Sequence, residues 1–333
     1  MNSHIGITMG DPGGIGPEVV VRALADERVR GLARFTVFGV EGVLAEAARV
    51  YGVGWPAEGV VVEARAEDGS WHPERGTARG HDARNGEASF RFVERAIECA
   101  KLPVGDARRV DAVVTGPISK EAWALAGHRW PGHTELFAAR FGTERYAMMF
   151  YAPPAADAPS LNVILATTHV PLRDVPGAVT RGRVLEVIEL ADEALRRLGV
   201  DRPRVGVCGL NPHAGESGLL GTEDRDVIAP AVEEARARGI EVTGPWPGDT
   251  VFLKALHGPG QRPSFDIVVA MYHDQGLAPV KLMARDRTVN VTVGLPVVRT
   301  SPDHGTAFDI AGKGVADAGS MKAAIELAVR MSR

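Results

Sequence analysis

The sequence predicts an α/β protein of two domains, each an α/β/α sandwich on a largely parallel sheet. Three observations predict it. Short β-rich runs alternate with helical patterns, as in the opening HIGITM (4–9), a helix from about Pro17 to Ala25, then RFTVFGV (34–40). Several strand runs are almost continuously apolar, as expected of parallel strands covered on both faces. The 333 residues also exceed the roughly 100–200 of a single domain.

Past the first βαβ unit, VDAVVT (110–115), RYAMMFYA (145–152), LNVILATT (161–168), RVGVCGL (204–210), FDIVVAMY (265–272) and TVNVTVG (288–294) read as buried strands. Between them, residues 180–198 set Val184, Leu185, Val187, Ile188, Ala191, Leu195 and Leu198 on one helical stripe, and 226–238 and 318–331 behave similarly. APPAADAPS (152–160) reads as a loop between strands. The domain boundary is poorly marked; if the last helices return to the first sheet, the first domain is discontinuous, built from both chain ends as 1–140 plus 295–333, with 141–294 as the second.

Composition narrows the function. Hydrophobic residues at 45% and charged residues at 24% match a soluble globular protein. A net charge of −4 with scattered basic residues offers no footprint for nucleic acid or an anionic membrane, so small molecules are the expected partners. Cys99 and Cys208 lack metal-type spacing, and a chain this size needs no disulfide. The N-terminus lacks a basic region followed by a long apolar stretch, and no run approaches the ~20 apolar residues of a membrane helix. A cytoplasmic location is expected.

Ligands bind beyond the carboxyl ends of strands in open parallel sheets. Four polar clusters occupy that position: Gly116-Pro117-Ile118-Ser119-Lys120, His169-Val170-Pro171-Leu172-Arg173, Asn211-Pro212-His213-Ala214-Gly215-Glu216 and His273-Asp274-Gln275-Gly276. A single histidine after a strand is more often structural than a ligand. Three in equivalent places point to one shared metal site with coordination positions open to substrate.

Gly10-Asp11-Pro12-Gly13-Gly14-Ile15-Gly16-Pro17-Glu18 joins the first strand to the first helix, either as an anion cradle or as a tight turn with Pro opening the helix. It lacks the G-x-G-x-x-G order, and no P-loop occurs. His133 and Thr134 stand together before a helical stretch, where Thr134 is a candidate cap. A surface residue such as Lys281 needs no explanation, but Asn290 and Arg299 inside apolar segments do. Burying such groups unpaired costs roughly 2–7 kcal/mol for an amide, and anionic substrate oxygens would satisfy them.

With these residues in view, the chain resembles the 4-hydroxythreonine-4-phosphate dehydrogenase family. The motifs run through the whole length: GITMGDPGGIGPE, VVTGPISK, GHTE, ATTHVPLRDVP, GLNPHAGESGLLGTED, GPWPGDTVF, MYHDQGLAPVK and VNVTVGLPVVRTSPDHGTAFDIAGKG. DHGTAFDIAGKG (303–314) also resembles the adenosine-binding loop of isopropylmalate and isocitrate dehydrogenases, whose fold the family shares. The resemblance thus implies an isocitrate/isopropylmalate dehydrogenase-like fold rather than a Rossmann one, with the active-site cleft between the domains. It implies a homodimer whose second domains form the interface, a divalent ion (zinc, magnesium or cobalt) on His169, His213 and His273 with the third ligand from the partner subunit, and substrate contacts at His133, Thr134, Lys281, Asn290 and Arg299. NAD or NADP is expected on the 303–314 loop, at His304, Gly305, Thr306 and Asp309. Asp249, Asp274 and His133 are the expected proton-handling residues.

The implied reaction oxidises and decarboxylates 4-phosphohydroxy-L-threonine to 3-amino-2-oxopropyl phosphate, in pyridoxine 5'-phosphate biosynthesis. A divalent ion stabilises charge on the C3 oxygen, and the carboxylate then lies β to the new carbonyl. Relatives that oxidise D-erythronate or D-threonate 4-phosphate, or aromatic cis-dihydrodiols, would keep the same histidines. A phosphotransacetylase-like protein would leave them unexplained.

Overall fold

In the computed structural model, which describes residues 3–55, 60–63, 80–153, 159–256, 263–284 and 287–333, the chain forms two units: Met1–Glu144 with Leu295–Arg333, and Arg145–Gly294. The first unit opens with β1 (His4–Thr8), α1 (Gly16–Ala25), α2 (Glu27–Arg30), β2 (Arg34–Phe38), α3 (Glu41–Tyr51), β3 (Val60–Glu63), α4 (Ala83–Lys101), β4 (Ala112–Thr115), α5 (Lys120–Leu125) and α6 (His133–Phe141). The second unit runs through β5 (Ala147–Tyr151), β6 (Val163–Leu165), α7 (Val175–Ala178), α8 (Arg181–Arg197), β7 (Arg204–Cys208), α9 (Ala229–Ala237), β8 (Glu241–Trp246), α10 (Val251–Ala255), β9 (Ile267–Ala270), α11 (His273–Ala284) and β10 (Val289–Val293). The chain then returns to the first unit as β11 (Val298–Pro302) and α12 (Gly319–Met331).

The first unit's strands lie in the order β3-β2-β1-β4-β11, every pair parallel. β1 and β4 are buried along their whole length, which explains their unbroken apolar character. α4 starts where the Asp82 carboxylate accepts the N–H groups of Arg84 and Asn85, and its inner stripe includes Phe92, Val93, Ala96 and Ile97. It approaches α5 so closely that a Cβ on Gly86 would lie 2.0 Å from the Ala122 carbonyl oxygen, and Trp123 Nε1 donates to Ser89 Oγ across the contact (2.9 Å). Glycine is required there.

The second unit's strands lie in the order β10-β5-β6-β9-β7-β8. β6, β9, β7 and β8 are mutually parallel, but β5 is antiparallel to both β10 and β6. The expected sheet is largely parallel, and β5 is its exception: coverage on both faces makes AMMFY apolar, whatever its direction. Its core gathers Met148, Phe150, Val163, Leu165, Val268, Leu277 and Val280. Each such side chain contributes roughly 1.5–3 kcal/mol on burial.

The expected helix at 226–238 begins instead as a π-turn, Asp224–Ile228, before α9. β8 escapes the apolar criterion because it is an edge strand, where Gly244 and Pro245 are tolerated. Of the loop expected at 152–160, residues 154–158 lie outside the described residues.

Candidate active site

The Gly10–Gly16 loop of the first unit is a tight turn, not an open cradle. Asp11 N donates to the Pro117 carbonyl (2.9 Å), Gly13 N to Asp11 Oδ1 (2.9 Å), Gly14 N to the Asp11 carbonyl (3.1 Å) and Ile15 N to the Thr306 carbonyl (2.9 Å). These amides are spent within the protein. Gly10, at φ +79°, lets the loop pass 2.5 Å from the Pro117 oxygen at its Cβ position. Asp11 is fully buried, Oδ2 has no hydrogen-bond partner, and burial pushes its carboxyl up to about 6.

The same unit holds a buried cation. Arg299 lies on β11 beside β4, with only 2% of its surface exposed. Its Nη2 and Nε donate to Thr115 Oγ1, at 2.6 and 3.2 Å. Burial pushes this guanidinium down to about 9, partly offset by the Glu135 charge. His133 opens α6; its Nε2 is buried without a partner, and its ring packs edge-on to Trp123 with centroids 5.5 Å apart. Burial first, then the charges of Arg299 and Lys120, holds His133 well below the ordinary imidazole range. It is therefore neutral at pH 7. Gly132, not Thr134, occupies the N-cap position; Thr134 is buried within the first turn. A cation and a neutral imidazole with an unsatisfied nitrogen suit an incoming anion.

After β11 the 303–314 loop is tied to α1 and α3. Glu18 accepts the backbone N–H groups of Gly312 and Gly314, and Arg22 Nη1 and Tyr51 Oη donate to the Ala316 carbonyl (2.8 and 2.6 Å). His304 Nδ1 lies 3.2 Å from the Gly305 carbonyl, while its Nε2 is buried without a partner; burial lowers its pKa. Gly305 and Asp309 are exposed on this loop, and Thr306 is half-buried.

In the second unit the strand order β6-β9-β7 decides which histidines meet. His169, past β6, and His273, opening α11 past β9, have ring centroids 5.6 Å apart. That separation suits two nitrogens on one ion. His213, past β7, is exposed, and among the described residues no group of three His, Cys, Asp or Glu stands together as a metal-holding set. Two of the three fit a shared ion within one chain; the third does not join them there. The chemistry of His273 and His213 also fits: His273 Nδ1 lies 2.7 Å from Asp274 Oδ1, and His213 Nδ1 lies 2.8 Å from Glu216 Oε2. A carboxylate at Nδ1 places the proton there and leaves Nε2 as the ligand atom.

The segment carrying His213 is unusual. His213, Ala214, Gly215, Glu216 and Ser217 all have left-handed dihedrals, with φ of 53°, 53°, 82°, 44° and 58°. For non-glycine residues this costs roughly 1–2 kcal/mol each. Buried Asp224 holds the turn's entrance, accepting from Leu210 N (2.7 Å), Asn211 N (3.1 Å) and Asn211 Nδ2 (2.9 Å). Gln275 ties two strand ends: its Oε1 accepts from Met271 N (2.7 Å) and its Nε2 donates to the Gly209 carbonyl (2.8 Å).

Asp249 is exposed on the turn before α10, and a Cβ on its neighbour Gly248 would lie 3.0 Å from Gln275 Nε2. Asp274 and Lys281 are exposed on α11. Asn290 sits on β10 with its Oδ1 buried and without a partner. Sequence reading did not single out Thr115 or Asp224, and it named Gln275 only as a member of the cluster past β9. The signal for Thr115 was present, a hydroxyl ending an otherwise apolar inner strand; Asp224 and Gln275 act through backbone groups that only the folded loops reveal.

The family described as pyridoxal phosphate biosynthetic protein PdxA matches residues 33–328. The chain is 45% identical to D-threonate 4-phosphate dehydrogenase of Cupriavidus necator, covering 98% of this chain and 97% of that one. It is 43% identical to 4-hydroxythreonine-4-phosphate dehydrogenase of Beijerinckia indica, covering 99% and 96%. A solved structure of a putative 4-hydroxythreonine-4-phosphate dehydrogenase from Salmonella typhimurium superposes with a TM-score of 0.81 at 41% identity, covering 99% of this chain and 100% of that one.

Proposed function

The chain belongs to the PdxA family, and from that premise we propose that it oxidises and decarboxylates a four-carbon 3-hydroxy acid carrying a phosphate at C4, using NAD(P) and a divalent metal ion. The first reading of the substrate is 4-phosphohydroxy-L-threonine, yielding 3-amino-2-oxopropyl phosphate. D-threonate 4-phosphate is the second, favoured by the 45% identical relative of that name. The observation that carries the phosphorylated class is Arg299, a buried guanidinium beside a neutral imidazole whose Nε2 has no partner.

On this reading His133, Thr134 and Arg299 receive an anionic group of the substrate, with Lys281 and Asn290 supplying further contacts. Charge-assisted hydrogen bonds of this kind contribute roughly 1.5–3 kcal/mol each. His169, His213 and His273 hold the metal and the 303–314 loop holds the dinucleotide; bound there, the two supply a Lewis acid and a hydride acceptor. The residues' own task is proton handling. Asp274 orients His273 through Nδ1 and, with Asp249, is a candidate to take the C3 hydroxyl proton. The resemblance gave the partner subunit the third ligand, His273; because His169 and His273 adjoin within one chain, this reading assigns His213 to the partner copy of a homodimer instead. The test is an assay of the purified protein with a divalent metal, NAD or NADP and each phosphorylated acid, following NADH or NADPH absorbance. Turnover of only an unphosphorylated diol would defeat the proposal.

A further inference from the structure

We propose that Thr115 is a positioning residue that sets the orientation of the Arg299 guanidinium and so governs affinity for the substrate's phosphate. The inference rests on the assignment of Arg299 above and deepens it. Thr115 ends β4, fully buried, next to β11 in a parallel register that pairs Val114 with Thr300. Its Oγ1 accepts from both Nε and Nη2 of Arg299. In the planar guanidinium these two donors lie along one flank. Two donors sharing this one acceptor restrain the rotation of the fork. Arginine side chains are otherwise rich in rotamers, so a fork held before the ligand arrives loses less freedom on binding. Valine has nearly the shape of threonine but accepts nothing. Serine keeps the acceptor.

The experiment measures binding of inorganic phosphate to the full-length protein by calorimetry, and kcat and KM for the phosphorylated substrate, in Thr115→Val, Thr115→Ser and Arg299→Ala. Thr115→Val should weaken phosphate binding and raise KM roughly tenfold with kcat nearly unchanged, the loss of a hydrogen bond to a charged group. Thr115→Ser should restore both to within about twofold of the native protein. A generally destabilising change would instead lower kcat and would not be rescued by serine. If Thr115→Val melts early, Thr115→Ala carries the same measurement without the added methyl. Should Arg299→Ala abolish phosphate binding while Thr115→Val leaves it intact, the positioning role is wrong and the assignment of Arg299 stands. Should Arg299→Ala leave phosphate binding unchanged, the assignment itself fails and the role of Thr115 falls with it.

Discussion

Arg299, on β11 with its guanidinium against the carboxyl end of β4, and His273, past the carboxyl end of β9, are treated by the fold in opposite ways. Arg299 is buried, its guanidinium hydrogen-bonded to Thr115 and its acidity raised by burial. His273 is only half-buried on the first turn of a helix, and His213 stands exposed on a left-handed turn. The first arrangement bears the cost of a desolvated charge before any ligand arrives, so an anion entering it meets preset donors. In the second, the rings are aimed by neighbouring carboxylates and the protein leaves the nitrogens accessible. The difference teaches that one site is finished by packing and the other awaits a group that packing does not supply.

The sharpest way to break this contrast is His273→Ala. If the histidines hold the ion, the variant loses metal and turnover, by about a thousandfold or more in kcat, because Lewis-acid stabilisation is worth several kcal/mol. Its circular dichroism should stay native, since the ring adds little to the core. Retention of stoichiometric metal would end the metal assignment. The pairing within one chain sharpens the test further. If the protein is a homodimer with the composite site proposed above, mixing His213→Ala with His273→Ala chains should regain activity, because one site of each mixed dimer would be intact; mixing His169→Ala with His273→Ala should not, because each site would then carry one lesion.

Arg299→Ala probes the buried side of the comparison. The loss in kcat/KM should be roughly ten- to a hundredfold for the phosphorylated substrate and small for its unphosphorylated counterpart, which has no partner to lose. Equal damage to both would move Arg299 to the scaffold.

Asp11 tests whether burial carries a measurable cost in the same unit. Its folded-state pKa, raised to about 6 by burial, exceeds its unfolded value near 3.8. The associated stabilisation is complete below the unfolded value and is lost as pH rises through the folded one. Asp11→Asn, which keeps the acceptor for Gly13 N, should therefore stabilise the protein at pH 8 by on the order of 2 kcal/mol, with the gain vanishing toward pH 4. Thermal melts across that range check it. A gain independent of pH would place the effect elsewhere.

The smallest effect belongs to Glu216→Gln. The amide can still reach His213 Nδ1 but removes the negative charge behind the ring, so metal affinity measured by competition with a chelator should fall about tenfold while the fold is unchanged. No change would make the Glu216 contact incidental to metal binding.

Much of this protein was legible along the chain. The apolar runs of β1, β4, β6, β7 and β9 and the stripe of α8 announced themselves because burial on two faces, or on one helical face, imposes a pattern that local sequence must obey. The candidate residues were legible for a related reason: polar clusters beginning where an apolar strand stops have few structural explanations. β8 was hidden because an edge strand escapes the two-sided pattern, and the direction of β5 because burial does not encode direction.

By itself, then, the sequence determined the α/β class, the strand-end positions of His169, His213 and His273, and the oddity of Arg299 in an apolar strand. Only the tertiary structure decided that Thr115 holds Arg299, that the glycine-rich loop spends its amides on the protein, and that His169 meets His273 rather than His213. The physical reason is range. Periodicity and strand ends are set by neighbours a few residues away, whereas the pairs His169–His273, Thr115–Arg299 and Ile15–Thr306 are set by the tertiary fold, which brings together residues 104 to 291 positions apart in the chain.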